Sequence, residues 1–93
     1  MIKTFKDSNL ENCWKWDKCS KINQIIKRRV LMKLDSMDAA NCLEDLLNPP
    51  SNHLHSLRGD LKGYWAISVN GPWRLLFRYE QGDIFDVYLE QYH

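Results

Sequence analysis

The sequence predicts an α+β domain in which two or three N-terminal helices pack on one face of a small antiparallel β-sheet. Three observations carry that expectation. Ile22, Ile26, Val30, Leu34 and Met37 step by four, four, four and three residues, the spacing of one helical face. After Pro50 the apolar period changes to alternation, with Trp65, Ile67 and Val69 and then Trp73, Leu75, Phe77 and Tyr79. Asn70-Gly71 and Gln81-Gly82-Asp83 are turn signals between the alternating runs, so those runs read as consecutive hairpins.

The elements follow in order. Residues 1–6 mix β-branched and aromatic residues and predict an opening strand. Ser8-Asn9-Leu10-Glu11 has the form of a capping box. It predicts a short helix through about Lys18, carrying Leu10, Cys13, Trp14 and Trp16. A second helix is expected from about Ser20, a good N-cap, to Asp38. Ile25 and Met32 fall on a different side from its apolar stripe, and Leu31 is also off it, which predicts cover on more than one side. Asn41-Cys42-Leu43-Glu44 starts one more helical turn, and Asn48-Pro49-Pro50 ends it, because proline lacks the N–H and clashes with a continuing helix. Strands then run from Tyr64 to Val69 and from Trp73 to Glu80. A last strand runs from Ile84 to Leu89, with Phe85, Val87 and Leu89 on its core side. There is no repeat and no linker, so residues 1–93 form one domain.

Composition excludes several classes. A hydrophobic fraction of 44% and a charged fraction of 27% are those of a globular protein, not a disordered one. No apolar run approaches the roughly 20 residues of a membrane helix, and the start lacks a signal peptide's apolar stretch. Cys13, Cys19 and Cys42 match no metal or redox spacing, so free thiols in a reducing cytosol are expected. The expectation is a soluble cytoplasmic protein without membrane contact. Net charge is only +1, but residues 1–33 carry nine Lys/Arg against three Asp/Glu, a net of +6, and the rest carries −5. That basic half suits either a polyanion footprint or merely solvated helix faces.

The second half holds His53, His55, Arg58, Lys62, Arg74, Arg78, Tyr92 and His93. Arg74 and Arg78 lie on the strand face opposite Trp73 and Phe77, although Arg78 also has Glu80 and Asp86 as ion-pair partners within reach. This inventory suits RNA cleavage. RNA carries its own nucleophile, the 2′-OH beside the scissile phosphate. An enzyme adds a base, an acid, and cations for the developing phosphorane charge. Histidine suits the proton transfers, arginine the charge, and tyrosine the stacking of splayed bases.

Leu54-His55-Ser56-Leu57-Arg58-Gly59-Asp60-Leu61-Lys62-Gly63-Tyr64-Trp65 resembles the L-H-P-L-K-G-D-x-x-G-Y-W segment of HigB-type plasmid-maintenance killer proteins, a branch of the RelE toxin superfamily. The run from Val69 to Phe77 is similar to that family's V-N-x-x-W-R-x-x-F. Residues Leu34 to Ala40 are similar to its L-D-x-L-x-A-A, and Tyr92-His93 to its terminus. The resemblance implies a RelE-like fold and a ribosome-dependent endoribonuclease that needs no metal and no cofactor. It implies catalytic roles for His55, Arg74, Tyr92 and His93. RNA binding is expected of Arg58, Lys62, Arg78 and Gln91, and of Lys27, Arg28 and Arg29 on the basic helix, which would hold ribosomal RNA through phosphates. Expected partners are a helix-turn-helix antitoxin of HigA type, the ribosome and messenger RNA, with operator DNA met only through the antitoxin complex.

Two departures stand out. Arg58 replaces a lysine, which keeps the charge and loses a proton-transfer role. Gln91 replaces an acidic residue that many relatives carry, while Glu90, one position earlier, points the other way by strand alternation. They favour a competing reading, a catalytically weak relative that engages ribosome, antitoxin and operator complex as a binding module. A third class, an unrelated adaptor domain, requires the motif matches to be coincidence. A helix-turn-helix reading frame beside this gene discriminates against it.

Overall fold

The computed structural model describes residues 1–91. Two helices, α1 (Ser8–Trp16) and α2 (Lys27–Ala39), precede the strands β1 (His55–Ser56), β2 (Tyr64–Asn70), β3 (Trp73–Glu80) and β4 (Asp83–Gln91). Short 3-10 turns at Leu43–Leu47, Pro50–Asn52 and Gly59–Leu61 connect them. The strands form one antiparallel sheet in the order β1-β2-β3-β4, the predicted meander. The Asn48–Pro49 peptide bond is cis.

The opening strand is reduced to two isolated parallel bridges, Ile2 to Ile84 and Phe5 to Val87. A bulge in β4 explains the interruption. Asp86 takes a left-handed backbone (φ 55°), and its N–H donates to Thr4 Oγ1 at 2.8 Å instead of to a strand partner. The same bulge shifts the register against β3 and changes which residues reach the core. Ile84 and Val87 are buried and Leu89 packs against them, whereas Phe85 pairs with Arg78 on the other face.

Helix α1 starts at Ser8, because Asp7 is its cap: one carboxylate oxygen accepts the N–H groups of Asn9 and Leu10 at 3.0 and 3.2 Å. The helix stops at Trp16, where Asp17 turns left-handed (φ 58°); the Asp17 N–H donates to the Cys13 carbonyl at 3.1 Å and the Lys18 N–H to the Asn12 carbonyl at 3.2 Å. That turn brings Cys19 to 4.3 Å (Cα–Cα) from Cys13, and the two form a disulfide. Two of the three expected free thiols are therefore paired, and only Cys42 is free.

Helix α2 starts at Lys27 and not near Ser20. Local side-chain bonds hold the preceding residues in turns. Asn23 Oδ1 accepts the N–H of Ile25 at 2.9 Å, and the Gln24 amide donates to the carbonyls of Cys19 and Ile22 at 2.8 and 2.7 Å. The stripe survives the change: Ile22 and Ile26 from the turns are buried with Val30, Leu34 and Met37 from the helix. Of the three residues off the stripe, Leu31 is half-buried against the core, while Ile25 at 86% and Met32 at 58% exposed are left uncovered. The stripe residues pack with Ile67, Val69, Leu75, Phe77, Ile84 and Val87 into one core between helices and sheet. The Trp14 indole fastens α1 to α2 by donating to Asp35 at 2.9 Å.

Candidate active site

The register sorts the strand residues by face. His55, Ala66, Leu76 and Tyr88 form one cross-strand row, Ser68, Arg74 and Glu90 a second, and Tyr64 and Arg78 a third. All lie on the sheet face turned away from the helices. Ala66 and Leu76 at its centre are fully buried, and polar groups surround them. Tyr64 and Tyr88 meet edge-on at 5.9 Å, with the Lys6 ammonium 4.9 Å from the Tyr88 ring centre. Burial, then the Glu90 carboxylate, raise the Tyr88 phenol above its ordinary range, so it remains a donor.

His55 is exposed, and its Nδ1 lies 2.7 Å from the His53 carbonyl. A carbonyl only accepts, so Nδ1 carries the hydrogen in that bond and Nε2 is left to exchange protons. His53 adopts a left-handed backbone (φ 48°) directly after a 3-10 turn, which aims its carbonyl back at the ring. Arg74 is held by Glu90: Nε and Nη2 both donate to the same carboxylate oxygen, at 3.0 and 2.7 Å. The side chains are 19% and 35% exposed, so the guanidinium plane is fixed at the rim of a site and not loose in water. His55, Ser68, Gly71, Pro72, Trp73 and Arg74 line one cleft of about 300 Å³. Gly71, with φ 55°, makes the tight turn that forms its end.

A second cavity of about 650 Å³ adjoins it, lined by Arg28, Arg29, Met32 and Lys33 on one side and Ser51, His53, Ser68, Val69, Asn70 and Gly71 on the other. Lys33 is committed inward, with its ammonium on Asn52 Oδ1. Burial, and then the Arg29 charge, lower its affinity for a proton. Asn52 is buried, and its amide also donates to the carbonyls of Leu46 and Asn48 at 3.1 and 3.3 Å. It therefore pins the loop that carries His53 and His55 to α2. Asn52→Ala leaves all three partners unmatched and is expected to cost about 1–3 kcal/mol, read as a lowered urea midpoint.

The other predicted residues are placed as follows. Arg78 shares the face but pairs with Asp86 at 3.3 Å. Arg58 and Lys62 stand exposed at the two ends of the Gly59–Leu61 turn and line neither cavity, and neither does Lys27. Gln91 pairs with Trp73, on the opposite face from Arg74, so the carboxylate that faces the site is Glu90. Tyr92 and His93 lie outside the described residues. Glu90, Asn52 and Tyr88 are site residues that the sequence reading missed, and His53 entered it only as one of several candidate polar groups; Glu90, set aside because it points away from the Gln91 side, shares its face with Arg74. Among the described residues, no three His, Cys, Asp or Glu side chains are grouped to hold a metal ion. No helix among them is long and apolar enough to cross a membrane.

The fold is that of RelE-like toxins. A chain in the crystal structure of the heterotetrameric YoeB–YefM toxin–antitoxin complex from Staphylococcus aureus superposes with a TM-score of 0.61 at 16% identity, covering 100% of this chain and 98% of that one. Sequence then narrows the class: residues 3–93 match the family of RelE-like toxins of the type II toxin–antitoxin system HigB, and the chain belongs to that family. It is 37% identical over 91 residues to Toxin HigB-1 of Vibrio cholerae, covering 97% of this chain and 96% of that protein. It is 33% identical over 93 residues to Endoribonuclease HigB of Proteus vulgaris, covering 100% of both.

Proposed function

We propose that this toxin is an endoribonuclease that cuts messenger RNA on the ribosome without a metal ion, and so stops translation in the cytoplasm. The observation that carries the reading is the cleft shared by His55 and Arg74, each held by a second group, His53 and Glu90. A phosphodiester seated there has its 2′-OH beside the Nε2 of His55. That nitrogen takes the hydroxyl proton as the O2′–P bond forms. Arg74 stabilises the charge that grows on the phosphorane oxygens. The P–O5′ bond then breaks, the leaving oxygen gains a proton, and the products are a 2′,3′-cyclic phosphate and a 5′-hydroxyl. His93 and Tyr92 are assigned the second proton transfer and base stacking from the family resemblance. Arg58, Lys62, Arg78, Gln91 and the basic start of α2 (Lys27, Arg28, Arg29) are assigned to RNA contacts. A helix-turn-helix antitoxin of HigA type is the proposed silencing partner, and operator DNA is met through that complex.

The test is induced expression in bacteria with mapping of messenger 5′ ends. Growth arrest with new ends confined to translated messages supports the reading. Arrest without new ends favours the binding module, for which Gln91 and Arg58 are the relevant departures. On purified programmed ribosomes, a sulfur-substituted scissile phosphate should not be rescued by thiophilic metals; rescue would assign charge stabilisation to a metal.

A further inference from the structure

We propose that the groove between α2 and the β2–β3 turn is a second RNA subsite, which holds the backbone of the same strand that is cut at His55 and Arg74. This rests on the nuclease reading above and adds where the strand runs. The first observation is continuity. The groove and the cleavage cleft share Ser68 and Gly71 as walls, and His53 lines the groove while its carbonyl holds His55. A strand leaving the cleft over Ser68 and Gly71 enters the groove directly.

The second observation is charge without partners. Arg74 and Arg78 are tied to Glu90 and Asp86, and Lys33 is tied to Asn52. Arg28 and Arg29 make no ion pair among the described residues, and both are exposed on the groove wall. No acidic side chain lines the groove to neutralise them. Guanidinium groups left open in this way suit phosphate oxygens. Their position costs the helix something, because cations at a helix N-terminus oppose the macrodipole and α2 has no side-chain cap there. A local rule broken without structural compensation marks a functional site.

The third observation is fit. A volume of about 650 Å³ lies within the usual range of small-ligand pockets and accommodates a nucleotide. Met32 is 58% exposed on this wall, so the groove offers apolar surface to a base between the phosphate-binding arginines and His53.

The test uses single-stranded RNA oligonucleotides of stepwise length, blocked by a 2′-deoxy sugar at the cut, with binding read by fluorescence anisotropy at several salt concentrations. The proteins are wild type, the Arg28→Ala/Arg29→Ala double variant and Lys21→Ala, each checked for fold by circular dichroism. Wild type should gain affinity as the strand grows past the cleavage site. The double variant should lose that gain, bind the longer strands roughly tenfold more weakly, and show a log-log salt slope shallower by about 1.4, the value for two lost phosphate contacts on a single strand. Lys21→Ala, which removes an exposed cation outside the groove and outside the proposed RNA contacts, should behave as wild type. A double variant that keeps the full length-dependent gain overturns the subsite. So does one that loses only ribosome association, which would give these arginines to ribosomal RNA. If wild type shows the gain yet cuts nothing on ribosomes, the nuclease reading falls and the subsite stands.

Discussion

Arg74→Ala is expected to slow single-turnover cleavage on programmed ribosomes by about 10²–10³-fold, the usual effect of removing one fixed donor to developing transition-state charge. The prediction is large because Arg74 is held before substrate arrives: Glu90 fixes two of its nitrogens, and the side chain is 19% exposed. Little orientation remains to be ordered during the reaction. The fold should survive, since the next two residues, Leu75 and Leu76, supply the burial and Glu90 keeps access to water. Arg74→Lys preserves the charge and loses the planar fork, so it should fall between the two. An alanine variant that cleaves within tenfold of wild type, with a normal melting curve, would move charge stabilisation to another residue.

Phe77→Ala is expected to lower unfolding stability by about 3–5 kcal/mol, measured as a shift of the urea midpoint at constant slope. Phe77 is fully buried in the central strand β3, paired with Trp65 on β2 and facing the bulge on β4. For a 93-residue domain that loss is a large share of all the stability it has. Ile25→Ala, at an 86% exposed position, is the matched control and should stay within about 0.5 kcal/mol of wild type. A loss below about 1 kcal/mol for Phe77→Ala would mean that the core collapses around the gap.

Local pattern was enough for much of this. The apolar stripe from Ile22 to Met37 is buried as its spacing requires, and the hairpins turn where Asn70-Gly71 and Gln81-Gly82 indicate. The failures have physical causes that periodicity does not carry. Asn23 and Gln24 bond to backbone and delay α2, although the stripe continues through them. The left-handed turn at Asp86 slips β4 by one residue, exchanging Phe85 for Ile84 on the core side. The candidate site is legible only in its motif residues, His55 and Arg74. What holds them comes from tertiary contact: Glu90 reaches Arg74 across the β3–β4 pair, and Asn52 meets Lys33 from another element. The groove joins α2 to the β2–β3 turn, so the charge run at Arg28 and Arg29 gains its second wall only on folding.

The N-terminal residues that bridge to β4 also govern how the molecule meets others. A sheet margin with unpaired amides and carbonyls invites a foreign chain to lengthen the ladder. Here the β4 margin is occupied by residues 1–6, which exchange N–H and carbonyl groups with Ile84 and Val87, and the opposite margin is the two-residue β1. Neither margin offers a long template for strand addition. A polypeptide that wraps this toxin therefore meets side chains and helix surfaces, and its selectivity must be written in those. Removing the first six residues would uncover the β4 margin and open a route to self-assembly by strand addition.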